Sequence, residues 1–298
     1  MTREIIYKIT SEYAGQKVSE HLRAKGFSKQ NLTDIKYNLP GSGIYVNNEM
    51  VLQNHLLSDG DELRVLIIEQ NNSEKVPPVN IPIDIVYEDD DLIVVNKPSD
   101  MPIHPSLGNY ENSLANALMY YYNAQEQDFV YRVINRLDRD TSGLTIVAKN
   151  IVSASILHNQ QKGGQLLKEY YAVVEDWNSD LPLSGTIELP IGRKDGSTIE
   201  RIIDFQNGEN AITHFELISR SNGLSFIKLH LETGRTHQIR VHMKAIHHPL
   251  IGDFLYNPSS TFMNRQALHV GRIEFYQPIT GERIILTADC PEDIKIMI

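Results

Sequence analysis

The sequence predicts an α+β fold, in which a small α/β domain precedes a larger domain with a mainly antiparallel central sheet. Three observations support this prediction. β-Branched and apolar runs separated by turn residues recur through most of the chain, whereas helical periodicity is confined to short stretches. A polar stretch ending in Pro77-Pro78 divides the 298 residues unequally. A hydrophobic content of 41% is enough for a sizeable core.

The small domain is assigned to residues 1–70, where helix and strand signals alternate. Gly26 gives the first predicted helix its stop, since glycine readily adopts the conformation that ends a helix. The Asn47-Asn48 pair between two short strand signals is typical of a hairpin turn. The elements predicted here are a helix over 18–25, a helical turn over 31–37, two short strands within 43–51 and a strand over 63–68.

Residues 71–82 are assigned as a linker, because a polar stretch without apolar periodicity leads into the proline pair. Residues 83–298 form the large domain, in which β-branched runs are bounded by turns. Its predicted strands cover 84–87, 92–95, 131–134, 144–147, 170–174, 214–218, 226–231, 272–276 and 283–286, and its predicted helices cover 113–121, 153–161 and 236–247.

Charge, cysteine content and the length of the apolar runs limit the classes of protein to which this chain can belong. The net charge of −10 does not favour nucleic-acid binding, but it does not locate the basic residues, and a cleft can be basic on an acidic protein. A single cysteine, Cys290, excludes an internal disulfide and predicts a reducing cytoplasm. The chain has neither the apolar run of about 18 residues that a membrane span needs nor a signal-peptide pattern at its start. We therefore expect a cytoplasmic protein that does not enter a membrane.

The densest group of reactive side chains is Asn-Arg-Leu-Asp-Arg-Asp-Thr-Ser-Gly-Leu at residues 135–144. A turn alone explains such a segment, because Asp, Thr and Ser side chains bond to backbone N–H groups. A carboxylate beside Arg is also held ionised, as a nucleophile or a base requires. Spacing alone therefore leaves both interpretations of Asp138 open and favours the turn.

A second dense segment, residues 231–242, predicts a helix that follows Gly234 and has Thr236 as its N-cap. Three apolar residues with helical spacing predict its buried face: Ile239, Met243 and Ile246. Arg240 lies next to this face, at the edge of the interior. Because a buried unpaired charge is costly, Arg240 needs an acidic partner, which the sequence alone does not name.

Two adjacent tyrosines mark a third segment, Lys168-Glu169-Tyr170-Tyr171. Strand alternation places Tyr170 and Tyr171 on opposite faces. Such pairs are more often packing residues than functional ones, so periodicity gives Tyr170 no role.

Four neighbouring histidines raise the question of a metal site: His237, His242, His247 and His248. Their spacing matches neither His-Glu-x-x-His nor an i, i+4 pair, and no cysteine is nearby. The sequence also lacks the phosphate-binding glycine loop and the Gly-x-Ser-x-Gly motif. We therefore expect no metal site, and neither nucleotide hydrolysis nor serine esterase chemistry.

Taken together, the motifs of residues 84–290 resemble the RluA-type family of pseudouridine synthases. The family pattern His-Arg-Leu-Asp-x-x-Thr-Ser-Gly-Leu is matched from Arg136 to Leu144, and its second signature is matched without a gap over 234–242. Shorter motifs follow the family's order at Asn96-Lys97-Pro98, His104-Pro105, Lys168-x-Tyr170, Gly252-Asp253 and Leu268-His269. Because several motifs in one order are far more specific than any single one, the resemblance favours a functional Asp138 over a plain turn residue.

Residues 12–68 resemble the small αL RNA-binding domain found at the start of many bacterial RNA-modifying enzymes. The resemblance depends on a basic helical part, then on Gly43-x-x-Val46-Asn47 and on Gly60-Asp61 before a strand. The basic residues of the helical part are Arg23, Lys25, Lys29 and Lys36.

The resemblance to the synthases implies a role for four side chains. Asp138 would be the catalytic nucleophile that attacks the target uridine, at ribose C1′ or by a related route. Arg240 would pair with Asp138 and keep it ionised. Tyr170 would stack on the base and take part in proton transfer at C5, and Arg136 would help displace the uridine and hold the RNA. No cofactor is expected, because the N-glycosidic bond is broken and the same base is rejoined through carbon.

Two residues depart from the family pattern. Asn135 stands where the family usually has His, which puts in doubt any contact that an imidazole makes during base flipping. Asp100 stands where the family often has Gly after Lys97-Pro98. Since Asp tolerates the left-handed backbone region better than most residues, we expect that turn to survive.

The sequence therefore predicts a monomeric enzyme that isomerises uridine in structured RNA, with ribosomal RNA slightly favoured over transfer RNA as substrate. Two alternatives remain open. One is a non-catalytic RNA-binding protein on a synthase scaffold, for which Asn135 is the only support. The other is a hydrolase that uses the same carboxylate to release a base.

Overall fold

The computed structural model describes residues 2–37, 43–69 and 76–298. It confirms the α+β class, because short helices accompany sheets whose strand pairs are mainly antiparallel. Residues 71–75 of the predicted linker lie outside the described residues, and residues 76–82 contain neither helix nor strand. Within the described ranges, no helix is both long and apolar enough to cross a membrane.

A four-stranded sheet and two helices form the N-terminal part. Its strands pair in the order β1-β4-β2-β3, where β1 is Thr2–Lys8, β2 Ile44–Val46, β3 Glu49–Met50 and β4 Glu62–Ile68. Its helices are α1 (Val18–Ala24) and α2 (Lys29–Tyr37). The predicted turn joins β2 to β3, with φ angles of 50° at Asn47 and 68° at Asn48. The sequence prediction omits β1, because its apolar residues do not alternate; the strand is held by pairing with β4.

A ten-stranded sheet forms the large part of the molecule, in the order β10-β13-β14-β9-β15-β8-β6-β5, with β16 on β15 and β7 on β8. Its strands are β5 (Ile85–Glu88), β6 (Leu92–Lys97), β7 (Arg132–Val133), β8 (Ser142–Ala148), β9 (Leu167–Glu175), β10 (Ser184–Glu188), β13 (Ile212–Ser221), β14 (Leu224–Leu231), β15 (Leu268–Tyr276) and β16 (Arg283–Thr287). In the described strands, β8 and β15 form the one parallel pair. This pair brings the chain just after Asp138 next to the centre of the sheet.

In the large part, the sequence prediction misses three short strands. They are β10 and the two strands of a hairpin, β11 (Ile191–Arg193) and β12 (Arg201–Ile203). Gly185, Pro190 and Gly192 interrupt the apolar alternation there, and charged residues separate the two hairpin strands. These strands are recognisable from their pairing partners and not from their own composition.

The helices of the large part are α3 (Leu114–Asn123), α4 (Ile151–Lys162), α5 (Gln238–Ala245) and α6 (Glu292–Lys295). The Ser113 side chain caps α3 and the Asn150 side chain caps α4, each by accepting a backbone hydrogen bond. The prediction for α5 is wrong at its start. Its N-cap is His237 and not Thr236, and His237 adopts a left-handed backbone with φ of 57°.

Strand β9 shows the predicted alternation. Tyr170, Ala172 and Val174 face the main core, while Tyr171 stacks on Phe226 on the opposite face, with ring centroids 5.8 Å apart. In α5, Ile239 and Met243 are buried as predicted, and Ile246 packs at the edge of the same core. Tyr170 is therefore held in place by a central strand of the sheet.

The N-terminal part has its own apolar cluster, which Val152 and Ile156 of α4 complete. Polar contacts reinforce the junction, since Arg3 of β1 donates two hydrogen bonds, of 3.0 and 2.9 Å, to the buried Asp91 carboxylate. Glu69 accepts hydrogen bonds from the Arg132 side chain and from the backbone N–H of Ile151. The two parts are thus joined by apolar packing and by ion pairs.

Candidate active site

Asp138 lies in the loop that connects β7 to β8, where a backbone hydrogen bond from Thr141 N–H to Asp138 O closes a turn. The turn interpretation of this segment is therefore correct for the backbone. The Asp138 side chain, however, does not cap that turn. It is 29% exposed and accepts a 2.9 Å hydrogen bond from Nη1 of Arg240.

Arg240 is the residue that fixes this carboxylate. Its side chain is only 3% exposed, and it is held from the other side by Asp253, with Nε and Nη2 bonding to the two carboxylate oxygens at 2.7 and 2.8 Å. Burial acts to lower the pKa of Arg240, but the hydrogen bonds and charges of Asp253 and Asp138 outweigh it and raise the pKa. Arg240 therefore stays positively charged beside Asp138, as the resemblance implied.

The loop that carries Asp138 is anchored to the sheet by Asn135. This side chain is 1% exposed; its Nδ2 donates to Leu144 O at 2.9 Å, and its Oδ1 accepts from Ile146 N–H at 2.8 Å. The Asn135 amide thus forms hydrogen bonds with the backbone of β8 inside the protein. In this structure Asn135 supports the loop and does not line the cleft.

Lys97, at the end of β6, supports the loop from beneath. Its Nζ donates hydrogen bonds to three carbonyl oxygens, those of Pro98, Met101 and Arg139, at 2.7 to 2.9 Å. Burial lowers the pKa of Lys97 to about 7, against the raising effect of the Asp140 and Asp138 charges. The adjacent turn holds Asp100 at φ of 57°, so the left-handed turn survives with Asp, as expected.

A cleft of about 470 Å³ opens above Asp138. The ionisable side chains that line it are those of Arg136, Asp138, Lys168, Tyr170, Arg235 and His237. A smaller pocket of about 70 Å³ shares Asp138, Tyr170 and His237 with this cleft and reaches Arg240. The four residues implied by the resemblance, Asp138, Tyr170, Arg240 and Arg136, thus meet at one place, although they come from three separate segments of the chain.

Asp140, two residues after Asp138, has a different environment. Its two carboxylate oxygens accept hydrogen bonds of 2.9 and 3.0 Å from Arg139, and it lines another cavity, together with Asp100 and Met263. The geometry separates the two aspartates that spacing alone left adjacent.

The four neighbouring histidines have different environments in the structure. His237 lines the cleft, whereas His242 is buried and bonds to Thr213 Oγ1 and Leu189 O through its two ring nitrogens. His247 is exposed at the end of α5. His248 belongs to the one group of clustered metal-capable side chains in the described residues, with Asp176 and Asp180, and Asp176 already accepts hydrogen bonds from Arg220 and Ser225.

Three residues of this site were not predicted: Asp253, Tyr256 and His237. Asp253 was noted only as part of a short motif, and a partner 13 residues from Arg240 along the chain gives no periodic signal. Tyr256 packs its ring 5.0 Å from the Arg240 guanidinium. His237 was considered only as a metal ligand, and the sequence gives no sign of its left-handed backbone.

Comparison with known proteins gives one family match. Residues 91–245 match the RNA pseudouridylate synthase family. This span includes Asp138, Tyr170 and Arg240, and it ends before Asp253.

Relatives match over most of the chain. The RNA pseudouridine synthase YjbO of Bacillus subtilis is 38% identical over 94% of this chain and 98% of its own length. The ribosomal large subunit pseudouridine synthase D of Haemophilus influenzae is 33% identical over 96% of this chain and 91% of its own length. Among solved structures, human RNA pseudouridylate synthase domain containing 1 superposes with a TM-score of 0.59 at 26% identity, covering 72% of this chain and 85% of that one.

Proposed function

The chain belongs to the RNA pseudouridylate synthase family, and we propose that it converts specific uridines of structured RNA to pseudouridine with Asp138 as the nucleophile. The observation that carries this proposal is the chain of contacts from Asp253 to Arg240 to Asp138. Asp253 fixes the guanidinium, so that Arg240 holds the Asp138 side chain at the cleft.

The route to pseudouridine requires that the N-glycosidic bond break, the base turn and C5 join C1′; C5 then loses its proton and N1 gains one. A carboxylate beside C1′ can trap or stabilise the sugar electrophile while the base turns. Only one oxygen of Asp138 is bound by Arg240, which leaves the other oxygen available to the ribose. Tyr170, packed on β9 at the cleft wall, offers an aromatic face to a base that has left its stack.

Charge in the cleft favours an RNA substrate although the whole chain is acidic. Arg136, Lys168 and Arg235 line the cleft, and Asp138 is the only acidic side chain among its lining residues. Phosphate binding depends on such local basic groups and not on total charge. We assign to Arg136 the displacement of the target uridine and contacts to the RNA backbone.

Ribosomal RNA is the proposed substrate class. Support comes from relatives that are named ribosomal large subunit pseudouridine synthase, at 31–38% identity. The resemblance of residues 12–68 to an αL RNA-binding domain supports a second contact with RNA. Its basic residues lie in α1 and α2, except for Lys25, which is the C-cap of α1.

The test uses purified protein and total RNA from a strain that lacks it, followed by mapping of pseudouridines. New pseudouridine at defined positions of ribosomal RNA is the expected result. Absence of any new pseudouridine in ribosomal and transfer RNA would refute the proposal. Unchanged uridine with retained RNA binding would instead favour a non-catalytic RNA-binding protein, and release of free uracil would favour the hydrolase.

A further inference from the structure

His237 occupies a position that its role as an N-cap does not explain. Its backbone lies in the left-handed region at φ 57°, where residues with a side chain are disfavoured, and its side chain makes no capping hydrogen bond to α5. The ring is turned instead into the cleft that Asp138 and Tyr170 line. The imidazole therefore faces the place where the target nucleotide would bind.

Tyr256 sets the direction in which this imidazole donates. The Tyr256 hydroxyl accepts a 2.9 Å hydrogen bond from Arg201 N–H, and it lies 2.9 Å from Nδ1 of His237. Because the Arg201 N–H already occupies one acceptor site of the hydroxyl, we assign its single proton to the bond with Nδ1, which then acts as the acceptor. In the neutral imidazole the remaining hydrogen is on Nε2.

The Nε2–H group is available to a ligand. Its nearest acidic neighbour, Oδ2 of Asp138, lies 3.7 Å away, which is too long for a hydrogen bond. Burial lowers the pKa of His237, although the charge of Asp138 opposes this. A neutral donor next to the nucleophile can bind the substrate without neutralising the Asp138 carboxylate.

Resting on the function proposed above, we infer that His237 is a further catalytic residue, whose Nε2–H donates a hydrogen bond to the departing uracil. Whichever route Asp138 takes, the N1–C1′ bond breaks and its electron pair leaves with the base. The negative charge then spreads from N1 onto the carbonyl oxygens of the uracil. A fixed donor beside the reacting carbon stabilises that charge, and no proton has to be transferred.

The test measures single-turnover release of tritium from large-subunit ribosomal and transfer RNA transcripts labelled at uridine C5. His237→Asn shortens the side chain, so that its amide does not reach the position of Nε2, while Asn tolerates the left-handed backbone. The rate at saturating enzyme is expected to fall about 100-fold, as on removal of an oxyanion-hole donor, with RNA affinity and unfolding midpoint near those of the wild type. His247→Asn is the matched control, because His247 follows the same helix by two residues, has a φ of 67° and is exposed. Its rate is expected to stay at the wild-type value.

A second variant keeps the inference testable if H237N folds poorly. His237→Gly relieves the backbone strain and leaves a space that free imidazole can fill, so added imidazole is expected to restore part of the lost rate. An H237N rate equal to that of the wild type, a loss explained entirely by weaker RNA binding, or an H237G variant without rescue would each overturn the role of His237 while pseudouridine formation by the wild type stands. Absence of tritium release by the wild type on both RNAs would instead refute the proposed function itself.

Discussion

Arg240 lies between two carboxylates, those of Asp138 and Asp253, and its guanidinium donates hydrogen bonds to both. The helical periodicity predicts that Arg240 lies at the edge of a buried face, and a charge in that position needs an acidic partner. The resemblance named Asp138, and the structure adds Asp253, which accepts hydrogen bonds from the two guanidinium nitrogens that do not contact Asp138. A partner found only through folding cannot be inferred from spacing, because a loop and not a helix sets its distance from Arg240.

Replacing Asp253 by Asn should therefore destabilise the protein. Asn has one acceptor oxygen where Asp253 has two, so it cannot accept from both Nε and Nη2 of Arg240 as Asp253 does. The buried guanidinium would also lose the negative charge of its buried partner. We expect the free energy of unfolding to fall by about 3–5 kcal/mol, as is typical when one partner of a buried ion pair is removed. Urea denaturation measures this change, and a loss below roughly 1 kcal/mol would show that Asp138 alone balances Arg240.

Asn135 was the one residue that supported a non-catalytic protein. Its amide bonds to the backbone of β8 from a buried position, so its replacement by Ala should leave an N–H and a carbonyl unpaired. We expect N135A to lose about 2–4 kcal/mol of stability. Its rate of pseudouridine formation per folded molecule should stay within about threefold of the wild type. A large loss of the rate of pseudouridine formation at unchanged stability would show that Asn135 takes part in the reaction.

At the scale of elements, the parallel contact between β8 and β15 positions the end of the Asp138 loop. Gly143 makes this contact possible, since its φ is 115° and an added Cβ would lie 2.3 Å from Val270 O. The apolar run that begins at Leu144 predicted β8. Neither its parallel neighbour nor the close approach at Gly143 is visible in that pattern, because strand pairing is decided by the whole sheet.

Gly143→Ala should accordingly disrupt this junction. The two strands would have to move apart, at an expected cost above about 3 kcal/mol or with loss of soluble protein. Gly281→Ala is the control, because Gly281 is also left-handed at φ 74° but has no atom within 4 Å of an added Cβ. It should cost only about 1 kcal/mol. Thermal unfolding compares the two variants, and equal effects would contradict the packing argument.

At the scale of the molecule, the junction between the N-terminal part and the sheet depends on Asp91. Its carboxylate accepts hydrogen bonds from Arg3, Asn150 and Gln277. Burial alone would raise the pKa of Asp91, but these hydrogen bonds and the Arg3 charge lower it below its ordinary 3.8. The sequence suggested two parts and a linker. It could not predict that β1 carries Arg3 to the edge of the large part.

This pKa fixes the pH dependence of the junction. Because the folded protein binds the Asp91 proton less readily than the unfolded chain, the stabilisation is fully present above the unfolded value of 3.8 and is lost as pH falls through the lower folded value. The difference in unfolding free energy between the wild type and D91N should be constant above about pH 5 and shrink in acid. Urea denaturation at several pH values measures it. A difference that does not change down to pH 3 would refute this assignment.

The central claim, that Asp138 is the nucleophile of a pseudouridine synthase, is tested most directly by single-turnover tritium release with two variants. Asp138→Asn should abolish release, by about 10⁴-fold or more, while the protein folds and binds RNA, because Asp253 still holds Arg240. Asp140→Asn, whose carboxylate pairs with Arg139 outside the cleft, should retain release. Near-full release by D138N, or its loss in D140N alone, would contradict the assignment and move the nucleophile elsewhere.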